Sequence, residues 1–136
     1  RYLWEKKLKI FAEISVGELY DKITILNIKL KKINDPNKLK NIKIELDALV
    51  EQSNKLILKD DEILRKNIQK LQDINEELWD IENAKRECEA NKEFGEIFIK
   101  ISRDVHFKND IRASIKKEIN LLSNSKITEE KEYSKY

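Results

Sequence analysis

Between residues 61 and 96 the sequence reads DDEILRKNIQKLQDINEELWDIENAKRECEANKEFG, and apolar side chains recur there at steps of three and four: Leu64, Ile68, Leu71, Ile74, Leu78, Ile81 and Cys88. A single helix over 61–94 would be about 50 Å long at 1.5 Å per residue. A seam that narrow on so charged a rod cannot persist alone in water, so the sequence demands partner helices.

The rest of the chain offers them. Charged residues make up 40% of the 136 and there are only two Gly and one Pro, which excludes an all-β reading and favours helices. Ser15-Val16-Gly17-Glu18 has the form of a capping box, with Ile14 and Leu19 spaced as a hydrophobic staple. It opens a first helix over 15–33, striped by Val16, Leu19, Ile23, Leu26, Leu30 and Ile33. Asp35-Pro36 caps and starts a second, over 36–58, with Leu39, Ile42, Leu46, Leu49, Leu56 and Ile57 inward. The turn at Lys59-Asp60-Asp61 then makes helices two and three an antiparallel hairpin, and Gly95 closes helix three with a left-handed residue.

After Gly95, Ile97, Phe98, Ile101 and Val105 mark a fourth helix over 96–106. Asn109-Asp110 reads as a new cap for a fifth over 109–122, with one kinked helix as the alternative. Residues 123–136 form a charged tail. In the lead-in, 1–14, the alternation of Leu8, Ile10, Ala12 and Ile14 with polar or outward positions reads as extended chain. The expected fold is all-α: one domain, an antiparallel helical bundle built on a long helical hairpin. A minor two-stranded β patch from the lead-in and the tail near Ile127 is an added expectation.

Lys and Arg total 28 against 26 Asp and Glu, and so even a balance argues against a general nucleic-acid binder. The charges are nonetheless segregated. Residues 1–40 carry ten positive and five negative, 76–96 three and eight, and 97–120 six and three. An acidic block between two basic ones can be paired across the bundle or between subunits, or can be a solvated mosaic.

Several chemistries have little to stand on. Cys88 is the only cysteine, which rules out an internal disulfide and a Cys-based zinc site, and on an apolar seam it reads as a small core residue. His106 is the only histidine and reads as a charge or cap partner near a helix end. Asp73, Glu76, Glu77 and Asp80 line one helix face in an EExxD pattern faintly like that of all-helical nucleotide pyrophosphohydrolases. The second acidic helix that a magnesium site needs is missing, so no metal and no cofactor is expected. No apolar run approaches the roughly 18 residues of a membrane span and no signal peptide is evident, so cytoplasm is the expected location. The chain starts at Arg1 and has no Met, which fits an initiator removed or a piece of something longer.

With ISVGELYDKITILNIKLKKI at 14–33, ELWDIENAKRE at 77–87 and HFKNDIRASIKKEINLL at 106–122, the chain resembles a family of short bacterial and bacteriophage proteins of unknown function. The likeness runs from about residue 10 onward. Many matching positions are polar: Ser15, Gly17, Glu18, Asp21, Lys22, Thr24, Lys29, Trp79, Glu82, Asn109, Asp110, Arg112, Lys116 and Asn120. The resemblance implies a common fold and a common polar site, and it brings no activity.

Two constellations carry the functional expectations. At the head of helix one, free amides with Gly17 and Lys22 can hold a phosphate or carboxylate, or can simply be a capped helix start. Asp21, Lys22, Thr24 and Lys29 on helix one, Glu82 and Arg86 on helix three, and Asp110, Arg112 and Lys116 on the last helix can meet as one polar cluster, either fixing register or lining a cleft. The favoured function is a protein-interaction module that self-associates, with a dimer as the favoured homo-oligomer and a protein partner docked on helix faces. The alternative is a small-molecule-binding protein or enzyme acting on an anionic, phosphorylated or nucleotide-sugar ligand. Its candidate residues are Ser15, Gly17, Glu18, Asp21, Lys22, Lys29, Glu82, Asn109, Asp110, Arg112 and Lys116.

Overall fold

Polar side chains one residue before the first helical position start three of the helices. In the computed structural model, which describes residues 7–56, 58 and 61–136, the described residues form four helices: α1 (Val16–Lys32), α2 (Pro36–Asn54), α3 (Glu62–Ala90) and α4 (Glu96–Ser123). Ser15 Oγ accepts the amide of Glu18 at 3.0 Å, Asp35 that of Asn37 at 2.9 Å and Asp61 that of Ile63 at 2.8 Å. Each satisfies a donor that the first helical turn leaves open. The readings of residues 1–6, and of Ile57, Lys59 and Asp60, lie outside the described residues.

Leu64, Leu71, Ile74 and Ile119 form the buried centre, and Val16, Tyr20, Ile68, Leu78, Ile115 and Leu122 pack against it. The core therefore sits where α1, α3 and α4 meet, and α1 adds Leu19, Ile23, Leu26 and Ile28 to the buried set. α2 contributes Ile42 alone.

Four expectations need correction. α2 and α3 are not a packed hairpin: α2 lies against α1 only, while α3 packs on α1 and α4. The reason is competition, because the α3 seam is already covered by two other helices. The expected fourth and fifth helices are one, α4, with no break at Asn109-Asp110. Those two side chains bond Arg112 and Tyr136 instead of capping, and no Gly or Pro precedes them to release the helix. Gly95 is not left-handed but stands at the N-cap of α4; the positive φ of the α3–α4 turn, 54°, falls on Lys92.

The fourth correction concerns the β patch. No strand occurs among the described residues. The lead-in and the tail meet through Glu13 and Lys126, 3.7 Å apart, and the amide of Ser125 is spent on the carbonyl of Asn120 in closing α4.

Beyond the reach of α1 the pair α3 and α4 runs on as an arm. Between residues 81 and 105 only Cys88 is buried. At the tip Phe94 and Phe98 meet edge to face at 5.5 Å, with Phe94, Ile97 and Ile99 exposed.

Candidate functional site

Glycine at position 17 brings α1 and α4 together almost backbone to backbone. A Cβ there would lie 2.5 Å from the carbonyl oxygen of Lys116 and 2.9 Å from Asn120 Oδ1. Neither distance is tolerable, so Gly17 is required by the crossing and not by a turn. The Gly17 amide donates to Asn120 Oδ1 at 2.7 Å, and the Val16 amide to Ser125 Oγ at 3.1 Å. The open amides that might have held a phosphate are thus taken by α4 and its C-terminal cap. The capping box is half formed: the Glu18 carboxylate turns to Lys116 at 2.6 Å and Lys22 at 3.7 Å.

One turn along α1, Asp21 is 1% exposed. Arg112 donates to it twice, from Nε to Oδ1 at 2.9 Å and from Nη2 to Oδ2. Asn75 Nδ2 donates to Asp21 Oδ1 and to Thr24 Oγ1, both at 2.9 Å, while the Thr24 hydroxyl donates to the Asp21 carbonyl at 2.8 Å. Lys116 stands 3.8 Å from Asp21 and 3.3 Å from Glu129. Asp21, Glu18, Arg112 and Lys116 are therefore a charge-balanced quartet at the junction of the three core-forming helices.

Burial by itself would raise the Asp21 carboxyl, but the hydrogen bonds from Arg112 and Asn75 and the charges of Arg112 and Lys116 outweigh it and hold it below its ordinary value. Arg112 is raised, first by its hydrogen bond to Asp21. For Lys116 burial acts downward, yet the bond to Glu18 and the charges of Asp21, Glu18 and Glu129 leave it raised. Asp21, Arg112 and Lys116 are thus kept ionised. Such a cluster fixes how helices sit against each other, and its donors face acceptors of the same chain.

Of the sequence-derived candidates, Ser15, Gly17, Glu18, Asp21, Asn109, Arg112 and Lys116 come together here, with Lys22 at the rim through Glu18. Lys29 does not join them. Glu82 pairs with Arg86 at 3.0 Å on the exposed face of α3. It also borders a small crevice of about 270 Å³, shared with Asn109 and Arg112 and walled by Ile25, Leu78 and Trp79. Asp110 lies on the outer side of α4, accepting the Tyr136 hydroxyl. His106 is in mid-helix, not near an end, against the rings of Phe107 and Tyr136 at 4.4 and 5.1 Å.

Sequence reasoning missed Asn75, the hub that links Asp21 to Thr24. An isolated Asn on a helix carries no spacing signal. It also missed Ser125 and Glu129, which the turn after α4 folds back onto the site.

The acidic block does find the basic ones. Asp80 pairs with Lys32 at 3.6 Å and Glu77 with Lys108 at 2.9 Å, while Asp73 accepts from Gln69. Among the described residues no group of three or more His, Cys, Asp or Glu is placed to hold a metal ion, and no helix is long and apolar enough to cross a membrane.

Comparison with curated proteins and with solved structures gives no match. A family model does match, over residues 9–136, and covers every residue of the polar cluster and all four helices. The chain belongs to that family, a family of unknown function (DUF6165).

Proposed function

We propose that this protein is a helical interaction module that self-associates, most simply as a dimer, in a bundle whose long hairpin is α3–α4. What supports this reading is the lead-in. Leu8, Ile10 and Phe11 are 85%, 91% and 80% exposed on the non-helical segment just before the Ser15 cap. Three large apolar side chains bare to water within four residues mark an interaction surface in a water-soluble domain. A second copy that covers it would remove that surface from water on both sides.

Light scattering and sedimentation over a micromolar concentration series test the proposal. The expected result is a dimer that the triple change Leu8→Ser, Ile10→Ser and Phe11→Ser converts to a monomer with unchanged helical circular dichroism. A monomer at every concentration overturns it. The ligand alternative draws less from the quartet. A ligand bound there would have to separate Asp21 from Arg112 and Lys116 from Glu18.

A further inference from the structure

Beside the quartet, the chain reverses at Asn124, whose φ of 55° is left-handed, and the tail returns along α4. Three fastenings hold it. Glu129 reaches Lys116 at 3.3 Å, Glu130 reaches Lys117 at 3.2 Å, and Tyr136 bonds Asp110 while its ring meets His106 and Phe107 at 5.1 Å each. Between the fastenings the tail does not lie on the helix. It bridges a groove of about 1290 Å³, at least the size of ordinary small-molecule sites.

The groove is open because its floor is small: Ala113 and Ser114 stand where larger side chains would fill it. One end is aromatic, from His106 and Tyr136; Lys117, Lys131 and Lys135 also line the groove, Lys135 next to Tyr136 in the chain, together with the carboxylates of Asp110 and Glu129. Lys135 has no ion-pair partner among the described residues, and Lys131 meets Glu129 only at 4.0 Å. Lys135 and Lys131 are thus the ammonium groups of the lining that the tail's carboxylates hold least.

We propose that this groove binds a small anion carrying a planar ring, of which a nucleoside monophosphate is the simplest case. The ring would lie against His106 and Tyr136, and the phosphate would take the ammonium groups that the tail does not satisfy. A bare phosphate lacks the ring contact, and exposed lysines alone hold it weakly. The site is independent of self-association through the lead-in.

His106, the only histidine, gives an isolated pair of imidazole proton resonances at the aromatic end. The full chain is titrated at fixed pH with AMP, with adenosine and with pyrophosphate. The expected result is a saturable shift of the His106 resonances with AMP. The double variant Lys131→Ala, Lys135→Ala should weaken that binding by about tenfold, two exposed charge contacts' worth. Ser114→Phe, filling the floor at an exposed helical position, should abolish it with circular dichroism unchanged. No shift at millimolar AMP overturns the proposal. So does a shift that pyrophosphate reproduces in full, or one that survives both variants.

Discussion

Asp21 on α1 and Arg112 on α4, 91 positions apart in the chain, meet through two parallel hydrogen bonds in which both carboxylate oxygens are used. That pair decides how the first and last helices are set against each other. Replacing Arg112→Ala leaves a buried carboxylate with Asn75 and the more distant Lys116 for company, and the loss of stability should be about 3–5 kcal/mol. Replacing both members, Asp21→Leu with Arg112→Leu, should recover much of that loss. Urea unfolding followed by circular dichroism reads both. A single variant no less stable than the parent would show that the pair holds nothing.

The same cluster gives stability an acid and an alkaline edge. Asp21 binds a proton less readily folded than unfolded, since its value lies below the ordinary 3.8. Its contribution is therefore complete above that value and is lost as the pH falls through and below it. Lys116 lies above its ordinary 10.5, so its contribution is complete below that value and is lost as the pH rises through the folded one. The urea midpoint should be level between these limits. Asp21→Asn should lower the plateau and flatten its acid shoulder while leaving the alkaline one.

At the helix crossing, Gly17→Ala puts a methyl group 2.5 Å from a main-chain oxygen. A backbone atom cannot swing aside, so α1 and α4 must separate by a few tenths of an ångström or more. The expected loss is about 1–3 kcal/mol, the cost of an overpacked contact, although Ala is the better helix former. Thermal unfolding measures it. Gly95→Ala, where nothing lies within 4 Å of the added carbon, is the control and should be near neutral.

α2 is anchored through α1 alone, with Ile42 as its single buried side chain. Its amides should exchange with deuterium well before those in the centres of α3 and α4. Ile42→Ala should free them further, at a cost of about 2–4 kcal/mol if α2 unfolds with the rest. If only α2 loosens, the global unfolding transition will move less than that while its amides lose protection.

What the sequence disclosed was mostly local. Ser15, Asp35 and Asp61 announce helix starts because a cap is a contact between residues two or three apart, written entirely in the sequence around it. Asn109-Asp110 carried the same signature and misled, since a capping side chain drawn to Arg112 or Tyr136 caps nothing. Partner choice was not legible either. The seams of helices two and three look alike, and only three-dimensional competition decides that α3 faces α1 and α4 while α2 is left with α1. The polar cluster was half visible: charged residues at helical spacing beside a stripe point inward. The uncharged connector Asn75 and the returning carboxylate of Glu129 give no such sign.

The arm formed by the outer parts of α3 and α4 hides one thiol and little else. A joint so thinly sealed should part now and then without melting the remainder of the molecule. The rate at which a thiol reagent finds Cys88 would then clock those openings, and a ligand or partner that clamps the tip would slow that clock without touching sulfur.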